Sequence, residues 1–326
     1  MNHAFRRTLY ERIEAERETR IVAFVTGERN GLQTQIAGDA VDPWVKILDR
    51  IGPVKRLSLV IDTNGGQTSA AWRLINLIRS FCDELEVIIP TKALSAGTLM
   101  SLGADKIIMT KQATLGPIDP SLDNHPLSPA VTTATGQQVR IGISAEAVRG
   151  YIDEVKKDVT EPAALAAVWT HLATQIHPVV LGEIFRLGGQ IRALAANLIG
   201  NQVADKETQD KIIQHLCSDS GSHDYTINRR AAGDMGLKIE KPSADLYGLL
   251  TMISQSYGDE LETLAPYSPL AMLAGHAQVE YRFVRGLIES TVESYGFVSE
   301  GRFSATPAAP GNFTDQKTIE GWRKLP

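Results

Sequence analysis

The chain has 326 residues, 43% of them hydrophobic and 22% charged, with a formal net charge of −5. That is enough apolar side chain for one large domain with appendages or for two domains, while the acidic balance and the lack of any long basic run exclude the electrostatic footprint of a nucleic-acid-binding protein. No run of about 18 apolar residues occurs, and the opening MNHAFRRTLYERIEAERETR lacks the apolar segment of a signal peptide, so the sequence predicts a soluble cytoplasmic protein with no integral membrane segment.

Residues 4 to 18 place charged and apolar side chains at helical spacing, which predicts an amphipathic leader helix packed on the body or on a neighbouring subunit. Three β-rich runs follow, RIVAFVTG (20–27), RLSLVID (56–62) and LEVIIP (85–90), with a fourth, KIIMT, at 106–110. Between the second and third, Ala71, Leu74, Ile75, Ile78 and Phe81 recur every three or four residues, as one buried helix face requires. Strands that alternate with helices imply a parallel sheet, because parallel neighbours need crossover connections. The segment AVTTATGQQVRIGIS (130–144) reads as a hairpin turning at Thr135-Gly136. Helices then follow: one opens at Ser144, a good N-cap, and two begin with Pro162 and Pro178, suited to a first helical turn. A short helix near 228–235 ends at Gly236, and LKIE closes the body. Residues 244–296 carry two more helical patterns, and the Pro-, Gly- and polar-rich last 27 or so residues read as an extended or disordered tail. The expected divisions are a leader at 1–19, the main domain at 20–240, a helical extension at 241–299 and the tail at 300–326.

Two turns carry the chemistry. IDTNGGQTS follows the second strand and ALSAGT the third; in a parallel sheet both lie at strand carboxyl ends, where ligand crevices form. Gly65 and Gly66 let the backbone bend and leave amides uncovered, and Ser95 starts a helix whose first N–H groups are unpaired. A serine oxygen with N–H groups from the Gly65-Gly66 turn and Ala96, foremost those of Gly66 and Ala96, is the arrangement acyl transfer needs, since each oxyanion donor is typically worth about 3–4 kcal/mol. The structural alternative makes Ser95 a helix cap and the glycines a turn.

IDTNGGQTSAAWRLINLI, ALSAGTLMSLGADKIIMT, LGPIDP and HDYTINRRAAGDMGL together resemble the ClpP/crotonase superfamily, and within it the serine dehydrogenase proteinase family, a cousin of the signal peptide peptidase SppA. The motifs run in order over roughly residues 20 to 240. The resemblance implies an α/β fold of the ClpP/crotonase-like ββα superhelix type, with a mainly parallel sheet and a helical C-terminal portion. It also implies a homo-oligomer and serine peptidase chemistry on peptide or unfolded protein substrates. Dehydrogenase-type cofactor use is not expected: no pyridoxal-phosphate lysine or dinucleotide loop is present, and LGGQ at 187–190 lacks a phosphate loop's spacing and lysine.

A serine needs a base. ClpP-like peptidases carry a histidine in the loop about 25 residues after the serine and an aspartate before a later helix; here Asp119 of GPIDP stands in the first place and His223-Asp224 in the second. The expected relay is therefore Ser95 as nucleophile, His223 as base and Asp119 orienting the imidazole, since triads are defined by role and not by chain order. Asp224 is the alternative orienter. SppA-like enzymes use a lysine base instead, for which Lys156 and Lys157 are the candidates, although DEVKKD surrounds them with carboxylates that favour the charged form. His177, before Pro178, is a further candidate base whose structural reading is a cap on the preceding helix C-terminus. His125 reads as a surface-loop residue. His3, His171, His215 and His276 show no paired spacing, so no metal site is expected. Cys82 and Cys217 read as reduced, buried thiols. Two other functions use the same sequence: a crotonase-like acyl-CoA enzyme without a serine nucleophile, and an inert oligomeric scaffold.

Overall fold

The leader residues form a helix, α1 (His3–Arg17), capped by Asn2, whose side chain accepts from the Phe5 N–H. The computed structural model describes residues 2–118, 120–122, 125–133, 138–219, 225–306 and 312–326. The chain divides into a first unit, Met1–Leu115 with Ile199–Ala204 and Thr226–Pro326, and a second, Gly116–Leu198 with Asp205–Tyr225. In the first unit α1 leads to β1 (Arg20–Thr26), α2 (Val41–Ile51), β2 (Val54–Asp62), α3 (Thr68–Arg79), β3 (Cys82–Ile89), β4 (Lys92–Ala93), α4 (Ala96–Leu102), β5 (Lys106–Met109) and β6 (Thr114–Leu115). Ala71, Leu74, Ile75 and Ile78 of α3 are buried, as their spacing predicts.

The second unit begins with β7 (Ser121–Leu122), β8 (Ala130–Thr132), β9 (Gln138–Arg140) and β10 (Ile143–Ser144). β8 and β9 pair antiparallel in the expected hairpin, whose turn residues Thr135 and Gly136 lie outside the described residues. Four helices follow, α5 (Ala145–Asp158), α6 (Pro162–Gln175), α7 (Pro178–Leu198) and α8 (Lys206–Gln214). Ser144 caps α5 by accepting from the Ala147 N–H at 3.0 Å, as predicted. Ile143, Val148, Val180 and Leu181 form this unit's small core, whereas no residue of α6 is buried. Among the described residues no single helix is long and apolar enough to cross a membrane; α6 and α7 together meet that test by length and composition only, across a 102° bend.

The chain then returns to the first unit as β11 (Ile227–Asn228), α9 (Arg229–Asp234), β12 (Ile239–Glu240), α10 (Ala244–Glu260), α11 (Pro269–Leu273), β13 (Gln278–Ser290), β14 (Ser294–Ala305) and β15 (Phe313–Lys324). The main sheet has eight strands in the order β12-β5-β3-β2-β1-β13-β14-β15. The first five are mutually parallel, and the last three join antiparallel. On one face, Leu9, Tyr10 and Ile13 of α1 and Leu246, Leu249, Leu250 and Ile253 of α10 pack on Ile21, Ala23, Val25, Val60, Ile88 and Ile108. Phe24, with the opposite parity in β1, meets Trp44 of α2 edge-on at 6.0 Å. The α/β fold class is therefore as the sequence implied.

The reading of residues 241–326 is corrected. Among the described residues helix continues only through α10 and the one-turn α11, and the supposed tail becomes part of the sheet. β13 and β14 are long and mostly buried, alternating in exposure only near 278–283 and 300–305, while β15 is exposed along most of its length because it closes the sheet edge. Its ladder to β14 is made by backbone groups, so a polar sequence forms it without an apolar face. Two aromatic residues signal the contact, Trp322 edge-on to Phe297 and Phe313 edge-on to Phe303, both at 5.6 Å.

Charged groups also enter this unit's interior. Arg6 of α1 is fully buried, donating to both carboxylate oxygens of buried Glu289 at 2.8 and 2.7 Å, while the Tyr10 hydroxyl donates to the same carboxylate at 2.9 Å. Arg17 grips Glu86 through two bonds of 2.6 and 2.7 Å and also reaches Glu240 at 2.9 Å, which Lys106 approaches at 3.0 Å. Cys82 is half-buried and Cys217 buried, so only the second matches its expected burial; burial pushes the Cys82 thiol up to about 11.

Candidate active site

The two turns singled out in the sequence meet. Beyond β2, Thr63 bridges Ala93 in parallel register; its N–H donates to the Lys92 carbonyl at 3.1 Å, and its carbonyl accepts from the Leu94 N–H at 3.0 Å. The glycine turn thus runs beside the serine turn as a continuation of the sheet. β6 extends this second, three-stranded layer, in the order β11-β6-β4.

Gly65 has φ of +108°, and a Cβ there would stand 2.8 Å from both the Leu94 carbonyl oxygen and the Ser95 Cβ. Only glycine permits that approach. Gly66, with φ of +146°, is backed by Ile36, whose carbonyl oxygen would lie 2.3 Å from an added Cβ. The backbone holds it there: Ile36 N–H donates to the Gly65 carbonyl and Gln67 N–H to the Ile36 carbonyl, both at 2.8 Å. The Gly65 N–H donates to the Thr63 hydroxyl at 3.0 Å. It is therefore not an available oxyanion donor, which corrects one of the three assignments: Gly65 permits the close approach, and the Gly66 N–H is left unused among the described residues.

Ser95 occupies the N-cap position of α4 with φ 49° and ψ −113°. A non-glycine residue at positive φ is costly, on the order of 1–3 kcal/mol, and persists where the surroundings impose it. The surroundings here are a helix buried at every residue and the Gly65 contact on its other side. The Ser95 side chain does not cap the helix, and it makes no hydrogen bond among the described residues. The structural reading of Ser95 as a cap therefore fails. The N–H groups of Gly66 and Ala96 likewise donate to nothing among the described residues.

One acid beside the site was missed in the sequence. Asp62 ends β2, next to Thr63; one carboxylate oxygen accepts from the Thr91 hydroxyl at 2.6 Å and the other is buried without a partner. Burial pushes its pKa up to about 6, against the Thr91 hydrogen bond. The pair ties the end of β2 to the start of the segment bearing Ser95. The available signal was an acid closing the apolar run LSLVI, where a surface loop was the default expectation.

Ser95, Gly65, Gly66 and Ala96 belong to the first unit. Asp119, His223 and Asp224 lie outside the described residues. Lys156 and Lys157, in the second unit, are exposed and paired with Asp153 at 3.8 Å and Glu154 at 2.5 Å, the solvated-face arrangement their sequence context suggested. His177 is exposed and caps α7 rather than the preceding helix: its Nδ1 accepts from the Val179 N–H at 3.2 Å, and its carbonyl accepts from Val180 at 2.9 Å. Pro178 explains the reversal, because it opens the next helix and makes the residue before it that helix's cap. His125 pairs with Glu183 at 3.3 Å. Lys92 pairs with Glu28 at 2.5 Å, and Lys111 lies over the Tyr247 ring at 5.1 Å. Among the described residues no group of His, Cys, Asp or Glu suits a metal ion.

Residues 3–140, which include both turns, match the model of the ClpP-like SDH-type serine proteinase family. Two uncharacterized proteins of Methanocaldococcus jannaschii are each 26% identical: one over 203 residues, covering 62% of this chain and 59% of the relative, the other over 208 residues, covering 55% and 68%. The chain thus spans about three fifths of the first relative's length. Among solved structures, a membrane-bound stomatin-specific protease is similar at 14% identity and TM-score 0.38, covering 69% of this chain and 80% of that one. ClpP1 of Listeria monocytogenes is similar at 16% identity and TM-score 0.38, covering 72% and 98%. The resemblance read from the motifs to the ClpP-like serine dehydrogenase-type proteinases is borne out over residues 3–140.

Proposed function

We propose that this chain is a serine endopeptidase that cleaves peptide or unfolded protein segments through an acyl-enzyme on Ser95. Ser95 Oγ attacks the scissile carbonyl carbon and passes its proton to a base. The Gly66 and Ala96 N–H groups donate to the oxyanion of the tetrahedral intermediate, the base returns the proton to the leaving amine, and water then hydrolyses the ester. His223 is the proposed base and Asp119 its orienter, on sequence position alone. A homo-oligomer in the cytoplasm is part of the same reading.

The observation that carries the proposal is the hydroxyl of Ser95 itself: it sits on strained backbone, caps nothing, and stands against a glycine turn whose next amide is unused. A helix cap needs none of these features, and an acyl-CoA site needs the amides without the hydroxyl. The test is hydrolysis of a fluorogenic unfolded-protein substrate by the full chain. Turnover that disappears in Ser95→Ala and falls steeply in His223→Ala supports the assignment; turnover that survives in Ser95→Ala refutes it.

A further inference from the structure

A cleft of about 550 Å3 opens in the first unit beyond the carboxyl ends of β5 and β12, lined by Lys111, Arg229 and Lys241 together with Pro242, Ala244 and Tyr247. Its size falls within the range of small-molecule sites, and its position is where open parallel sheets bind ligands. Its charge sets it apart. Two other clefts in this unit also contain arginines, but there each arginine has a carboxylate partner: Arg29 pairs with Glu262, Arg285 with Glu320, Arg282 with Glu300 and Arg302 with Glu280. No carboxylate lines the cleft at β5 and β12, and none of its three cations has a carboxylate partner among the described residues.

Two of the cations are nevertheless fixed, by neutral groups. Lys111 lies over the Tyr247 ring, whose hydroxyl donates to Gln112 at 3.3 Å, and Arg229 donates from Nη1 to the Met109 carbonyl at 3.2 Å. Such anchors orient the charge without cancelling it. Carboxylates close in sequence are engaged elsewhere: Glu240 holds Arg17 and Lys106, and Asp234 pairs with Arg230 at 3.7 Å. Glu16 does not line the cleft; it accepts at 2.8 Å from the hydroxyl of Ser243, which does, and so is held by a neutral donor rather than by one of the three cations. Asp245 is exposed and does not line the cleft. Three like charges converging in a concave, partly apolar site focus a positive potential, which an anion relieves.

We propose that this cleft binds a phosphorylated small molecule, its phosphate held by Arg229, Lys111 and Lys241 and its organic part against Pro242 and Ala244. A guanidinium with two ammonium groups matches a phosphate dianion, and the volume exceeds the need of an inorganic ion. This site does not depend on the peptidase assignment.

The test is calorimetric titration of the full chain with AMP and, separately, with inorganic phosphate, at low and high salt. AMP is expected to bind at low salt at least about tenfold more tightly than inorganic phosphate, to weaken with added salt, and to lose about tenfold or more in Lys241→Gln and in Arg229→Gln. Lys206→Gln, on α8, is expected to change nothing. Circular dichroism confirms that the variants fold; should loss of the Met109 contact unfold Arg229→Gln, Lys241→Gln carries the test, because its exposed side chain supports no other residue. No binding of either probe to folded protein up to about 10 mM, equal affinity for phosphate and AMP, or AMP binding unchanged in Lys241→Gln would each overturn the proposal.

Discussion

Midway along β3, Glu86 is 1% exposed and receives two bonds from Arg17 and one from the Ser58 hydroxyl, while Lys106 and Glu240 complete the group. On the carboxyl side, the Ser95 hydroxyl and the Gly66 and Ala96 amides have no partner among the described residues, and the backbone that presents them is strained. The same sheet thus holds matched charge within it and unmatched hydrogen-bonding capacity beyond the carboxyl ends of β2 and β3. Matched groups hold the scaffold; unmatched ones are what a substrate carbonyl can use.

The contrast is broken most completely at Ser95. Ser95→Ala is expected to lower peptide turnover by at least about 1,000-fold while leaving the melting temperature nearly unchanged, because the hydroxyl supports no other residue. Gly65→Ala tests the approach of the two turns: its Cβ would stand 2.8 Å from Leu94 oxygen and Ser95 Cβ, so the turns must separate. Turnover should fall on the order of 100-fold, with Ser95 still in place. Within the sheet, Arg17→Ala leaves buried Glu86 with the Ser58 hydroxyl and Lys106 at 3.4 Å but without its bidentate guanidinium, and should destabilise the chain by about 3 kcal/mol in denaturant titration, with activity retained at permissive temperature.

Two pH dependences sharpen the comparison further. Despite the opposing effect of burial, the Arg17 and Ser58 hydrogen bonds hold the Glu86 carboxyl below its ordinary value of 4.5. Its contribution to stability is therefore present above that value and lost as pH falls through the lower folded one, and Arg17→Ala should flatten this acid limb. Asp62 behaves oppositely. Its acid is held up from 3.8 to about 6, so the folded state binds the proton more tightly and stability falls as pH rises between those values. Asp62→Asn should remove that fall, the smallest of these effects, read as the pH dependence of the denaturation midpoint.

Much of the scaffold was legible because its signals are local. The four β-rich runs, the apolar face of α3 and the caps at Ser144 and Gly236 need only spacing and residue type. The two turns were legible as a pair because parallel topology sends successive strand ends to the same side. Residues 278–324 were not, since an edge strand such as β15 is specified by its partner's backbone and carries polar side chains on both faces. Arg6 was equally hidden: at its position in an amphipathic helix a charge predicts solvent, and only Glu289, from a strand 283 residues away, explains its burial. The separate roles of Gly65 and Gly66 depend on the Thr63 hydroxyl, which a sequence of adjacent glycines does not reveal.

The most direct measurement is reaction of the folded chain with a fluorophosphonate, followed by peptide mapping. The account predicts a single phosphonyl adduct on Ser95, lost in Ser95→Ala. A folded chain that takes up no label, or one whose labelling is unchanged in Ser95→Ala, would contradict it.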